Sequence, residues 1–197
     1  SAGSTLAFLK IPVVWWCFSF FLLSTMTLAV VQSFAVSILQ ALHQVTFEAA
    51  TFTLTAYMLC AAAGMFVGGF VAARWPLQSD KVVAGCMTAG AICMALCGSG
   101  WLGAEFTMVV LAATGLAIGV GGPSRDMMIK KATPKGATGR VYGMVYSGLD
   151  TGFAISPLIF GVFMDHGWYG ATLLGAAVVL MLSVGVALGV GRRTAHV

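Results

Sequence analysis

Charged side chains are scarce in this chain of 197 residues: they make up 8% of it, against 59% hydrophobic residues, and the mean hydropathy is +0.97. A water-soluble domain carries roughly 25% charged residues, so a soluble globular fold is excluded. Paired cysteine chemistry is missing too. Cys17, Cys60, Cys86, Cys93 and Cys97 all fall in apolar runs, with no C-x-x-C spacing and no histidine close by. That pattern speaks against a disulfide framework and a metal site, and Cys86, Cys93 and Cys97 read as small packing residues of one helix. There is no Walker loop, no nucleophile elbow and no pair of carboxylates placed to cooperate, so neither an enzyme nor a cofactor is expected. The basic residues are dispersed in short clusters, which argues against nucleic acid as a partner. The first apolar run is too long for a cleavable signal peptide and lacks a small-residue cleavage site.

What the chain does have is long apolar runs. A helix needs about 20 such residues to cross about 30 Å of hydrocarbon. Reading between the charges predicts six spans, at 13–36, 49–73, 82–101, 106–122, 141–164 and 168–190, in one bundle that fills the chain. Gln40 to Gln44 is expected to form the turn after the first span. Pro76 blocks continuation of the second, and a polar stretch at 123–140 is expected to separate the fourth from the fifth.

Charge placement tests this threading. All ten Lys and Arg residues fall on one side of a six-span arrangement, while Glu48, Glu105 and Asp165 fall on the other, which has no cation. A missed or invented span would scatter the cations over both faces. The positive-inside rule then predicts that both termini are cytoplasmic, with a bacterial inner membrane as the expected location. Trp15, Trp16, Trp75, Trp101 and Trp168 lie near span ends, as interface anchors do.

Two stretches carry a family resemblance. Gly68-Gly69-Phe70-Val71-Ala72-Ala73-Arg74, at the end of the second span, is similar to the G-x-x-x-D-R loop motif of the major facilitator superfamily, with Ala73 in the acidic position. The second stretch begins with Gly122-Pro123-Ser124-Arg125-Asp126 and continues through Pro134-Lys135-Gly136. It ends with Gly148-xxx-Gly152, Pro157, Gly161 and Asp165, and resembles the loop and eleventh helix of the same family. The resemblance covers the whole chain and points to the C-terminal half of such a transporter. It implies an all-α membrane fold of two three-helix repeats with inverted topology, and transport of a small solute by alternating access. It also implies a complementary six-helix half, or a second copy, as partner.

Asp150 is the sharpest single feature, a carboxylate roughly 15 Å deep by helical rise. An acid at that depth costs about 2.5–3.5 kcal/mol on insertion scales and is expected to face protein or water. Tyr142, Tyr146 and Asp150 recur at i, i+4 and i+8, so they fall along one stripe as candidate lining of a solute path, with Asp150 as proton carrier or counter-charge. The alternative is a structural Asp bonded to a neighbouring helix or paired across a missing half. Gln32, Ser33 and Tyr57 are further solute-binding candidates, with interhelical packing as the alternative. Of the alternating Thr51, Thr53, Thr55 and Tyr57, at most two can share a face.

Gly69, Arg74, Arg125, Asp126 and Pro157 are the gating candidates. Arg125 and Asp126 are read at the end of the fourth span, either pairing across bundles or serving with the neighbouring lysines as an orientation signal. The spacings Gly64-xxx-Gly68, Gly115-xxx-Gly119, Gly139-xxx-Gly143, Gly148-xxx-Gly152 and Gly185-xxx-Gly189 predict close helix crossings. His43, His166 and His196 read as ordinary solvated histidines. The expected function is therefore solute transport, proton-coupled through Asp150, with a non-transporting membrane subunit that holds partner proteins, or an inert isolated bundle, as the rival readings.

Overall fold

A computed structural model describes residues 7–136 and 138–194. Six helices, each long and apolar enough to cross a membrane, account for nearly all of it. They are α1 (Pro12–His43), α2 (Phe47–Arg74), α3 (Ser79–Ser99), α4 (Ala104–Ala132), α5 (Thr138–Asp165) and α6 (Tyr169–Thr194), and no strand occurs among the described residues. His196 lies outside the described residues.

The helix ends follow from local chemistry. Pro12 opens α1 at a position where its missing N–H costs nothing. Thr46 caps α2 by accepting the Ala49 N–H at 3.2 Å, with Glu48 in the first turn. Gly100 and Gly167 adopt positive φ (77° and 73°) in the turns that follow α3 and α5, where a β-carbon would be strained. Basic residues crowd the last turns of α2, α4 and α6 (Arg74; Lys130 and Lys131; Arg192 and Arg193), where they complement the partial negative charge of the helix end.

Two helices run past the ends that the sequence suggests. α1 continues to His43, and Gln44 rather than Gln40 makes the turn, with φ 54° and its N–H bonded to the Gln40 carbonyl. Thirty-two residues make about 48 Å of helix, so α1 projects beyond the hydrocarbon or tilts within it. α4 continues through Pro123 to Ala132. A proline costs a helix one bond and crowds the carbonyl four residues back; that residue is Gly119, and Gly121 and Gly122 keep the same turn narrow. Arg125 and Asp126 thus belong to the body of α4, about two turns before its end, and not to the end itself.

The helices pack most extensively as α2–α4, α1–α5, α3–α6, α3–α4 and α1–α6. Exchanging α1 with α4, α2 with α5 and α3 with α6 maps this set onto itself. Because each set of three has an odd number of spans, the second is inverted relative to the first, which is the two-repeat arrangement of half a major facilitator fold.

Glycine makes the crossings possible, and it does so equivalently in the two repeats. A methyl on Gly148 or Gly152 of α5 would lie 2.8 or 2.7 Å from the carbonyl oxygens of Phe18 and Leu22 on α1. On α2, a methyl on Gly64 would lie 2.5 Å from the Leu116 carbonyl of α4, and one on Gly68 would run into the Val120 carbonyl. Gly115 and Gly119 of α4 abut the carbonyls of Tyr57 and Ala61 in the same way. Gly139, Gly143 and Gly185, by contrast, have nothing within 4 Å of an added methyl, so those two predicted stripes are not crossings. Gly189 serves a different end, seating the indole of Trp16.

Two hydroxyls bind the helices further: Ser156 of α5 donates to the Met26 carbonyl of α1 at 2.8 Å, and Thr27 of α1 donates to the Ala176 carbonyl of α6 at 3.0 Å. Gly119→Ala is expected to destabilise the bundle by about 1–3 kcal/mol, because the obstructing atom is backbone and cannot rotate away. Gly185→Ala should cost nothing. Thermal unfolding in detergent distinguishes them, and equal midpoints would contradict the crossing geometry.

Candidate transport face

The exposed surface of the bundle is of two kinds. On α2, Phe52, Leu59, Phe66 and Phe70 are 74, 65, 73 and 68% exposed and fall on one stripe, bulky and apolar as lipid contact requires. A second exposed stripe of the same helix carries Thr55, Met58, Ala62, Met65 and Gly69, smaller and more varied. Met58 meets the Gln32 side chain of α1 there, with Nε2 3.8 Å from Sδ. This second surface continues past α1 to α5.

Beneath it a chain of aromatic contacts through the buried Phe21 links three helices. The Arg125 guanidinium of α4 lies 5.2 Å from the centroid of the Phe21 ring on α1. Phe21 in turn lies 5.3 Å from Tyr146 of α5, and Tyr146 stacks on Tyr142 at 5.8 Å with 19° between planes. A cation over an aromatic face is stabilised by the ring quadrupole. Arg125 also pairs with its neighbour Asp126, Nε to Oδ1 at 3.3 Å. The charges of Arg125 and Asp126 are thereby compensated inside one helix.

Asp150 is not compensated. It lies twelve residues into the 28-residue α5, about 18 Å along it, and is exposed on the surface of the bundle. No hydrogen-bond donor or cation among the described residues reaches its carboxylate. The neighbouring hydroxyls are already used within the helix: Ser147 donates to the Met144 carbonyl at 2.5 Å and Thr151 to that of Ser147 at 2.8 Å. Four residues advance a helix by slightly more than one turn, so each step from Tyr142 to Tyr146 to Asp150 rotates by about 40°. The tyrosines therefore turn toward Phe21 and Arg125, while Asp150 turns away from the bundle.

The other predicted residues separate. Gln32 and Ser33 are both exposed, about 100° apart on α1; Gln32 faces α2. Tyr57 is 1% exposed and packs between α2 and α4 against Gly115, so it is core, held there because glycine admits its ring. Thr53 and Thr55 return their hydroxyls to the carbonyls of Ala49 and Thr51. Gly69 and Arg74 are exposed at the basic end of α2, whereas Pro157 is exposed on α5 beyond Asp150. These gating candidates do not meet. His166 bonds the Val162 carbonyl and stacks on Trp168, 4.8 Å away. Among the described residues no cluster of His, Cys, Asp and Glu gathers to hold a metal. Sequence reasoning missed Phe21: one more aromatic in an apolar run carries no signal until the Tyr146 and Arg125 contacts are seen.

The profile of the family described as Major Facilitator Superfamily matches residues 8–196. The chain belongs to the major facilitator superfamily. No curated protein and no solved structure gives a significant match. Membership makes this an integral membrane protein among carriers of small solutes, with the bilayer and a solute as its partners, and the six helices correspond to half of the family's fold.

The two kinds of surface predict different thiol chemistry. In a variant lacking the five native cysteines, Cys at position 150 or 32 is expected to react with a water-soluble thiol reagent on the order of tenfold faster than Cys at 59 or 66, since the reactive thiolate forms only where water reaches it. Equal rates at the four positions would show that the surface is not divided in this way.

Proposed function

We propose that this chain is the C-terminal half of a secondary active transporter, completed by a complementary six-helix half or a second copy, and that Asp150 couples transport to protons. The observation that carries the reading is the lone carboxylate: near the middle of a membrane helix, exposed, and without a partner among the described residues. An ionised acid there is costly unless it meets water, a cation or a proton. Each of these fits a solute path between two halves. Tyr146, Tyr142 and Gln32 supply hydrogen-bonding groups on that wall, and Ser33 adds a hydroxyl at its edge.

In this reading both termini are cytoplasmic, because every Lys and Arg lies at that end of the threading. The Arg125–Asp126 pair sits between the cytoplasm and Asp150, with its guanidinium on the aromatic cluster. It forms the inner gate of the path. Gly69 and Arg74 form the rim of that gate on α2. Pro157 leaves the Phe153 carbonyl without its helical donor, one residue from the Ser156 bond that anchors α5 to α1. The outer part of α5 bends there while the glycine crossing holds.

Asp150→Asn cannot take up or release a proton. In proteoliposomes it is expected to abolish solute accumulation driven by a proton gradient while leaving solute exchange between the two sides intact, and Asp150→Glu should retain accumulation. Accumulation by the Asn variant at the wild-type level would reject the coupling role.

A further inference from the structure

A groove at the basic ends of α1 and α6 plays no part in the transport reading. It has a volume of about 520 Å3 and is lined by Lys10, Pro12, Trp15, Trp16, Ser19 and Val186. Lys10 is the cation on its lining, and a second, Arg193, lies beside it on the ring of Trp16. Lys10 ends a short 3-10 turn, Ala7–Lys10, which the Ile11 N–H closes on the Phe8 carbonyl at 3.1 Å. Trp15 secures the same turn by donating its indole N–H to the Leu9 carbonyl at 2.8 Å. On the other wall, Trp16 lies in the notch left by Gly189, where any side chain would strike the indole. Arg193, one turn further along α6, lays its guanidinium over that ring, 4.8 Å from the centroid.

Neither cation is paired with a carboxylate among the described residues. Asp80 lies against Gly191, but two residues before Arg193 is nearly the opposite face of α6. The groove thus gathers positive charge without its own counter-ion. Its floor is apolar, and two tryptophans mark the level where headgroup meets hydrocarbon.

We propose that this groove binds an anionic phospholipid, with the lipid phosphodiester between Lys10 and Arg193 and the first segment of an acyl chain along Trp15 and Val186. Basic pockets between membrane helices suit such headgroups. The combination of Lys10 on the lining, Arg193 on the Trp16 ring beside it and an apolar floor is what a lipid uses and a free phosphate does not.

Native mass spectrometry of the detergent-purified chain with added phosphatidylglycerol or phosphatidylcholine tests this. The wild type is expected to retain phosphatidylglycerol preferentially. Lys10→Gln and Arg193→Gln should each lower that retention roughly fivefold, the loss that corresponds to one basic contact near a membrane surface. Lys81→Gln, at the exposed start of α3 and outside the groove, should leave it unchanged. Both substituted side chains are exposed at helix ends, and thermal unfolding confirms that each variant is folded. The proposal fails if Lys81→Gln costs as much as Arg193→Gln, which would indicate a diffuse basic surface. It fails equally if the double variant Lys10→Gln/Arg193→Gln binds like the wild type, or if inorganic phosphate displaces the lipid at equal concentration.

Discussion

In hydrocarbon, two apolar helices gain nothing by burying side chains against each other instead of against lipid, so the crossings of α5 on α1 and α2 on α4 must be held by close packing. Here the packing is backbone against backbone. Gly148 and Gly152 let α5 approach the carbonyls of Phe18 and Leu22, and the Ser156 hydroxyl closes the same seam on Met26. With one face of α5 committed to α1 in this way, the helix has no rotational freedom left. Its opposite face, carrying Asp150, is fixed outward. Tyr146, between the two, is brought onto Phe21. The position of the acid is thus a consequence of two glycines that lie within two residues of it on either side.

The inverted repeat extends this reasoning. α2 uses Gly64 and Gly68 on α4 as α5 uses its glycines on α1. The two second helices of the repeats are therefore both set at the flanks of the bundle, each leaning on the first helix of the other repeat. The chemistry is not symmetric. The repeat containing α4 and α5 holds Arg125, Asp126, Tyr142, Tyr146 and Asp150; the one containing α1 and α2 offers the neutral Gln32, Ser33 and Thr55, with Arg74 at its basic end. Both carboxylates of the proposed path belong to one repeat, while the other supplies packing, the Phe21 ring and Arg74 at the rim.

The helical count, the sidedness of the cations and the family were legible in the chain because each rests on a property that lipid enforces over many residues. Span ends were less so. Pro123 reads as a stop in sequence, yet the glycines around it make room for the helix to continue, and this moved Arg125 and Asp126 from the end of the fourth span into the body of α4. The glycine spacings were legible as a class but not individually: Gly148 and Gly152 face a neighbour, whereas Gly139 and Gly143 of the same helix face open space, and spacing alone is identical for both pairs. Tyr57 shared its helix with plausible polar neighbours, and only the α4 contact at Gly115 shows that it is core. Asp150 stood out from the start, since a charge amid so many apolar residues needs a reason. That it has no partner among the described residues could be learned only from the fold.

The most direct measurement is reaction with dicyclohexylcarbodiimide, which attacks protonated carboxylic acids open to an apolar medium, followed by peptide mapping of the adduct. A carboxylate held outward from the middle of α5 should be modified at Asp150 in the folded protein, while Asp126, paired to Arg125, is spared. Modification at Asp126 with Asp150 untouched would contradict the account.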